Sequence, residues 1–274
     1  MATGSHHKRR PGMTGAFFLS TLLLWFVSVC FEILFHKRTE LLPLLAGCCF
    51  YQSANWILRL RVSRDPLFLN TCVSLLHSSI TSASVVFILV NHWMTTGSAY
   101  MFDHSQLYGG TWAWAYPALC FSCGYFAYDQ LDMLQHGLYK GRIPGILVHH
   151  LILLLCFTLA LYRNVTINYL ILTLICELHS IFLHARKVRR MSGARRGATA
   201  KAEWVMNWLT LLMARVGPHL LIIIKLIKDA RRFERGTELG LALCGMAGMN
   251  LLNLRLGMDL MKAYGRDRKQ MQHR

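Results

Sequence analysis

Acidic residues are scarce in this 274-residue chain, and charged residues of either sign make up only 16% of it. The 13 Asp and Glu stand against 30 Lys and Arg, while 54% of the residues are apolar. A soluble protein this basic would suggest nucleic-acid binding, but no zinc-finger, RNP or helix-turn-helix pattern occurs. The basic residues instead flank apolar runs long enough to cross a bilayer. The composition therefore predicts a protein integral to a membrane, with no nucleic-acid partner.

The chain also lacks the cysteine pattern of a secreted disulfide scaffold. All nine cysteines fall inside apolar segments. Cys120 and Cys123 have the spacing of a redox motif, but no βαβ pattern surrounds them. We expect these two cysteines to act as small packing residues.

The apolar runs predict an all-α integral membrane bundle of about eight transmembrane helices. Their expected ranges are 14–35, 41–60, 68–94, 112–136, 144–162, 165–187, 204–227 and 239–261. The first run could be a signal peptide, but it is long for one and no Ala-x-Ala site closes it, which favours an uncleaved anchor. The second is the weakest prediction, because it contains Pro43, Gln52 and Asn55.

The basic residues predict the orientation of the bundle. With eight crossings, 20 of the 30 Lys and Arg lie on the side of the two termini and eight on the other side. The positive-inside rule therefore predicts that both termini are cytosolic. The exception is the loop after the seventh helix, which carries five positive residues on the predicted outer side.

Polar side chains recur at helical spacing within the apolar runs. The stripes are Asn70, Ser74, His77 and Thr81; Tyr125, Asp129, Asp132 and His136; Thr173, Glu177, Ser180 and His184; Arg215 and His219; and Asn250 and Asn253. Four residues in these stripes are ordinarily charged at neutral pH: Asp129, Asp132, Glu177 and Arg215. If each faced lipid as a charge, the cost would be roughly 2.5 to 3.5 kcal/mol per residue, or on the order of 10 kcal/mol in all. We therefore expect the stripes to converge on a common polar interior, where acids offset Arg215.

The least ordinary set is the adjacent pair His149 and His150 together with Glu177 on the next helix. One histidine of such a pair can face the interior while a carboxylate orients it, as a general base requires. These three are the candidate catalytic residues. The candidate binding residues are His77, Asp129, Asp132, Ser180, Arg215 and Asn253.

Other interpretations exist for several of these residues. Asp129 and Asp132 could lie at the membrane interface, or pair with Lys140 or Arg142. Arg215 could be a counter-ion, and His77 a helix-to-helix hydrogen-bonding group. A three-histidine metal site built from His77, His149 and His150 lacks HExxH and any fixed ligand spacing, so no metal is predicted.

Five phrases together resemble the TLC domain family, which includes the translocating-chain-associating membrane protein and the ceramide synthases. They are NTCVSLLHS around His77, GYFAYDQLDM around Asp129, LVHH at the histidine pair, LICELHSIFLHARK around Glu177, and NWLTLLMARVGP ending at Pro218. The likeness divides the chain into an N-terminal segment (1–64) with one or two membrane helices, a TLC domain (65–264) and a basic tail (265–274). It implies six core helices around a lipid-accessible cavity.

Within the family the sequence is most similar to small TLC-domain-containing proteins that regulate plasma-membrane phospholipid composition and fluidity. Ceramide synthases share the double histidine, followed by a His-Asp and a further Asp. Here Cys176-Glu177 and Ser180 stand at those positions, so Glu177 keeps an acid and Ser180 does not. The departure weakens the expectation of the ceramide synthase reaction but leaves another acyl transfer open.

The resemblance implies three alternative functions. The first is regulation of membrane phospholipid acyl-chain composition, with membrane lipids and fatty acyl chains as ligands. The second is an acyltransferase with acyl-CoA as its cosubstrate and no other cofactor. The third is a receptor or chaperone for membrane proteins. A transporter is disfavoured because no inverted repeat is visible. The plasma membrane is implied as the location, with the endoplasmic reticulum as the alternative.

Overall fold

The computed structural model describes residues 12–97, 100–139, 145–193, 199–233 and 236–272. These residues form helices and no strand. The α-helices are α1 (Met13–Leu34), α2 (Leu42–Arg61), α3 (Pro66–Thr96), α4 (His104–Tyr108), α5 (Ala115–His136), α6 (Gly145–Arg163), α7 (Ile167–Thr173), α8 (Glu177–Met191), α9 (Thr199–Thr210), α10 (Gly217–Lys228) and α11 (Glu238–Gln272). The predicted all-α membrane bundle is confirmed.

Seven helical stretches in the described part of the chain are long and apolar enough to cross a membrane. They coincide with seven of the eight predicted spans, including the weakest, which falls within Thr39–Arg61. The eighth, α5, forms over Ala115–His136 as expected but is not among the seven. Because most of α5 is buried by other helices, it can carry polar residues that a lipid-facing helix could not.

Local sequence signals set several helix ends. Asp65 caps α3 by accepting a hydrogen bond from the Leu67 amide at 3.1 Å, and Pro66 occupies the first helical position. Gly137 ends α5 with a φ of 62°, a left-handed conformation that glycine adopts without steric cost. These ends agree with the predicted spans to within a few residues.

Two predicted spans are interrupted where the sequence predicted continuous helices. A 3-10 turn, Leu174–Cys176, separates α7 from α8, directly before Glu177. A π-helical segment, Leu211–Val216, separates α9 from α10 and contains Arg215. Neither break interrupts the apolar pattern, so periodicity could not reveal them. Short π segments occur often at functional sites.

Helix α5 is the centre of the bundle and contacts α1, α2, α3, α6 and α7. Its closest neighbour is α2, because glycines lie at their crossing. A Cβ at Gly124 would lie 2.3 Å from the Leu44 carbonyl oxygen, and one at Gly47 would lie 2.6 Å from that of Phe121. The backbones therefore meet with no room for a side chain between them.

The N-terminal helix is tied to the bundle by polar contacts. Trp25 donates its indole N–H to Thr158 on α6 at 2.7 Å. Arg38, after α1, donates to the carbonyls of Leu161 and Tyr162 at 3.0 and 2.9 Å. A cation here satisfies carbonyls at the end of α6 and complements the helix dipole.

The connection between α3 and α5 contains the short helix α4. Asn168 at the start of α7 fixes this connection. Its Nδ2 donates to the carbonyls of Gln106 and Gly110, and its Oδ1 accepts from the Trp112 amide at 3.0 Å. One buried amide thus anchors α4 and the residues that follow it to α7.

The basic loop after α10 has a local acidic partner. Asp229 is 3% exposed; its Oδ2 lies 2.8 Å from Lys225 Nζ and its Oδ1 3.8 Å from Arg232 Nη1. These pairs offset part of the charge that made this loop an exception to the positive-inside rule. The cytosolic location of the termini stays a prediction.

All nine cysteines are free thiols. Cys120 and Cys123 are both buried, and Cys123 Sγ lies 3.9 Å from the Thr158 hydroxyl. Their contacts fit the packing role expected for them.

Candidate functional site

A polar-lined cavity of about 420 Å³ opens between α3, α5, α6, α8, the π segment and α11. Seven of the nine candidate residues line it: Asp129, His149, His150, Glu177, Ser180, Arg215 and Asn253. His77 and Asp132 are not among its lining residues. The expectation that polar stripes meet in one interior therefore holds in the described part of the chain. The individual pairings differ from those expected.

The acid beside the histidine pair is Asp129 on α5 and not Glu177. His150 Nε2 lies 3.3 Å from Asp129 Oδ2, and both residues are buried, with 3% and 4% exposure. The expected pairing failed because it assumed that consecutive helices bring their polar groups together. The rotation of α6 turns His150 towards α5 instead.

Asp129 and Asp132 are both buried between helices, with 4% and 6% exposure. They share one donor, because Asn70 Nδ2 donates to Asp129 Oδ1 at 2.5 Å and to Asp132 Oδ2 at 3.0 Å. Asn55 adds a hydrogen bond to Asp132 Oδ1 at 3.1 Å. The alternative partners Lys140 and Arg142 lie outside the described residues. The two aspartates form a buried network across α2, α3 and α5, in which amide donors compensate the carboxyl groups.

Glu177 is 8% exposed and starts α8, directly after the 3-10 turn. Its Oε2 accepts a hydrogen bond from Ser78 Oγ at 2.7 Å. This contact ties α8 to α3. Glu177 therefore shares the cavity with the histidines without contacting them as the expected orienting group.

Arg215 is held by neutral groups and not by the acids that were expected to offset it. Its guanidinium donates to Ser180 Oγ at 2.7 Å, to Asn253 Oδ1 at 3.2 Å and to the Cys176 carbonyl at 3.3 Å. Arg215 is 8% exposed. Three acceptors, on α8, on α11 and in the 3-10 turn before α8, satisfy much of the buried guanidinium. The counter-ion interpretation of Arg215 therefore lacks a contacting carboxylate in the described region.

His77 lies behind the cavity wall. Its ring stacks on Tyr125 with centroids 3.6 Å apart, and its Nδ1 lies 3.3 Å from the Tyr51 hydroxyl. These contacts join α2, α3 and α5, as the helix-to-helix interpretation expected. Among the described residues, no group of three or more His, Cys, Asp or Glu is placed to hold a metal ion.

The open end of the cavity is lined by residues that were not part of the polar stripes identified in the sequence. Lys187, Arg255 and Asp259 line it, and all three are exposed. Gly145 lies opposite, where a Cβ would be 3.4 Å from Arg255 Nη1. The mouth thus has two cations and one carboxylate. A signal for it was available in both cations. Lys187 ends an apolar run and was attributed to positive-inside charge, while Arg255 lies inside the predicted eighth span and was not included in a polar stripe.

Several buried polar atoms at the cavity have no hydrogen-bond partner among the described residues. They are His149 Nδ1, His150 Nδ1 and Arg215 Nε. Unsatisfied buried polar groups are rare in folded proteins because each costs about 1 to 3 kcal/mol. Three of them on one cavity indicate a place where a polar part of a ligand, or water, completes the hydrogen bonding.

In chemical terms the cavity combines an imidazole beside a carboxyl group with a largely water-shielded interior. When Asp129 holds one ring nitrogen of His150, the other nitrogen is the one available to take or give a proton. The neighbouring Phe126, Leu183, Met249, Leu252 and Leu256 supply apolar wall. The site can therefore hold a molecule with both a polar group and an apolar chain.

Comparison with known proteins assigns the chain to a family. The profile described as the TLC domain matches residues 67–262. Human TLC domain-containing protein 2 is 28% identical over 222 residues, which is 77% of each chain. Human TLC domain-containing protein 1 is 25% identical over 208 residues, 72% of this chain and 81% of the relative.

The mouse TLC domain-containing protein 2 is 30% identical over 179 residues, which is 61% of this chain and 53% of the relative. No solved structure matches the chain. The profile match covers well over half of the chain and contains all nine candidate residues. The protein therefore belongs to the TLC domain family of multi-pass membrane proteins.

Proposed function

We propose that this protein binds membrane lipid in the polar-lined cavity and thereby regulates the phospholipid acyl-chain composition, and so the fluidity, of its membrane. The observation that carries the proposal is the combination of a polar interior and apolar walls within a membrane-spanning bundle. Family membership supports it, because TLC domains are commonly linked to lipid metabolism or its regulation. The plasma membrane is the proposed location, with the endoplasmic reticulum as the alternative, and both termini are proposed to be cytosolic.

A neighbouring apolar cavity supports the binding of an acyl chain. It has a volume of about 120 Å³ and lies between α6, α7, α10 and α11. Met249 lines this cavity and the polar one, so the two meet at a single flexible side chain. A lipid with its polar part among the histidines can place its acyl chain towards the apolar side.

The proposal is tested by lipidomics of cells that lack the protein and are loaded with polyunsaturated fatty acid. We expect the wild type to restore the phospholipid acyl-chain profile, and His150→Ala and Glu177→Gln to leave it as in cells without the protein. His150→Ala removes the imidazole beside Asp129, while Glu177→Gln replaces the carboxyl group by an amide and keeps an oxygen for Ser78.

The matched control is His36→Ala, since the His36 side chain is 57% exposed and far along the chain from the site. It should rescue as well as the wild type at equal expression. An unchanged profile in cells lacking the protein would contradict the proposed function. Equal rescue by all variants would mean that the polar residues only support the fold.

A second candidate is acyl transfer from acyl-CoA, favoured by the contact between His150 and Asp129. In this reaction His150 Nδ1 takes the proton of an amine or hydroxyl as its N or O attacks the thioester carbonyl. The C–S bond breaks, and the same nitrogen returns the proton to the departing coenzyme A thiolate. Asp129 holds the imidazole in position, the role that the sequence had suggested for Glu177.

For this candidate, purified protein in lipid nanodiscs is given acyl-CoA and amine- or hydroxyl-bearing lipid acceptors. Loss of a general base lowers rates by about 10²- to 10⁴-fold, so His150→Ala should reduce acyl-CoA consumption on that scale while His36→Ala should not. If the wild type neither binds nor consumes acyl-CoA, the acyltransferase candidate is wrong and the lipid-binding proposal is unaffected.

A further inference from the structure

No side-chain hydrogen bond or ion pair joins Lys187 or Arg255, the two cations at the cavity mouth, to another described residue. Two of the other cations on α8 are paired: Arg186 Nη2 lies 2.7 Å from Asp267 Oδ2, and Arg189 contacts Glu203. Arg186 also stacks over the Trp204 ring at 4.1 Å. The neighbours of Lys187 therefore brace α8 against α9 and α11, while Lys187 lines the cavity.

Arg255 reaches the mouth from the opposite helix. It projects from α11 towards Gly145, where a Cβ would make an ordinary van der Waals contact with its guanidinium at 3.4 Å. The mouth is therefore bordered by a lysine on one wall and an arginine on the other. Long basic side chains at a membrane surface extend their charged groups to the level of lipid head groups.

Deeper in the same cavity, His149 Nδ1, His150 Nδ1 and Arg215 Nε lack hydrogen-bond partners in the described region. Exposure falls from the mouth inward, from exposed Lys187 and Arg255 to Arg215 at 8% and His150 at 3%. The cavity thus has an outer level with two cations and the Asp259 carboxylate, which leaves a net positive charge, and an inner level of polar atoms without hydrogen-bond partners. A ligand that contacts both levels must carry an anionic group and, further along the molecule, a second polar group.

We infer that Lys187 and Arg255 form a phosphate-binding subsite at the mouth, which holds the phosphate of an acyl-bearing ligand while its ester, amide or thioester region reaches the histidines. Arginine and lysine are the side chains that bind phosphate oxygens most often, arginine as a fork and lysine as a point charge. The inference rests on the proposed lipid-binding function and adds the chemical group that the mouth recognises. Both a phospholipid head group and coenzyme A supply such a phosphate.

The test uses the purified full-length chain and two fluorescent probes with identical acyl chains, phosphatidylcholine and the corresponding diacylglycerol. Phosphatidylcholine has no net charge, so general attraction to a basic surface contributes little to its binding. The double variant K187Q/R255Q should bind the phosphatidylcholine probe about tenfold more weakly or worse, because charge-assisted hydrogen bonds are lost. Its affinity for the diacylglycerol probe should be unchanged.

Two control variants accompany the double variant. Lys262→Gln removes an exposed cation from the same face of α11, seven residues beyond Arg255, outside the cavity lining. It should bind both probes as the wild type does. The exchanged pair K187R/R255K keeps both charges and should retain phosphatidylcholine binding.

Competition identifies the source of the phosphate. Displacement of the phosphatidylcholine probe by coenzyme A alone would indicate that the subsite accepts acyl-CoA, whereas displacement only by excess phospholipid would indicate a head-group site. Either outcome supports the subsite. Unchanged phosphatidylcholine binding by the double variant, or an equal loss of both probes, would overturn it. Failure of the wild type to bind either probe would instead overturn the proposed function itself.

Discussion

Replacing Asp129 with alanine is expected to destabilise the protein by about 2 to 6 kcal/mol, because it leaves two buried polar groups without this partner at about 1 to 3 kcal/mol each. The loss deprives Asn70 of its acceptor at 2.5 Å and leaves His150 Nε2 without the carboxyl oxygen that lies 3.3 Å away. Asp132 cannot compensate fully, because it is already bonded to Asn55 and Asn70. Thermal unfolding in detergent, followed by fluorescence, measures the effect.

Two further variants separate the causes of this loss. Asp129→Asn keeps an acceptor of the same shape, so it should cost about 1 to 2 kcal/mol. Asp103→Ala removes an exposed carboxylate with no side-chain capping bond and should change stability by no more than about 0.5 kcal/mol. An Asp129→Ala protein as stable as the wild type would show that Asp129 is not part of a buried network.

Gly124→Ala is expected to be the most disruptive single-methyl substitution in the bundle. The new Cβ would lie 2.3 Å from the Leu44 carbonyl oxygen and 2.8 Å from the Cys48 amide nitrogen, and both are backbone atoms that cannot rotate away. Helices α2 and α5 would have to separate, which also breaks the contact of Cys48 Sγ with the Gly124 carbonyl at 3.2 Å. Overpacking of this kind costs typically about 1 to 3 kcal/mol, and we expect the upper end or more.

The matched control is Gly240→Ala on α11, where a Cβ meets nothing within 4 Å. This substitution should be neutral or stabilise by up to about 1 kcal/mol through helix propensity. The comparison uses the apparent melting temperature of both variants in the same detergent. Equal melting temperatures for Gly124→Ala and Gly240→Ala would contradict the close approach of α2 and α5.

The sequence predicted the helices well because apolar length and flanking charge are local properties. The run before Arg61 was identified despite Pro43 and Asn55, and Pro43 proved compatible because it lies in the first turn of α2. The sequence also predicted that acids and histidines gather inside. Exposing these groups to lipid without a partner would cost so much free energy that few other arrangements are stable.

The partners of these residues were not predictable in the same way. Which acid reaches His150 depends on the rotation of α6 against α5 and on the lengths of the connections, and neither leaves a local signal. Asn70 is an example. Its polar stripe was identified in the sequence, but its hydrogen bonds to Asp129 and Asp132 depend on how α3 is positioned against α5. The 3-10 and π segments were missed because they leave the apolar pattern intact.

The π-helical segment Leu211–Val216 also bears on how this span tolerates insertions and deletions. A π turn accommodates one residue more than an α turn, so the chain here holds a single residue in excess of regular helix. Deleting one residue would leave a continuous apolar helix but rotate α9 against α10 by about 100°. His219 and Thr210, which contact Asn253 and His179 respectively, could then no longer both meet their partners. The extra residue therefore sets the rotation of α9 relative to α10 about the helix axis. A hydropathy profile would not detect its loss.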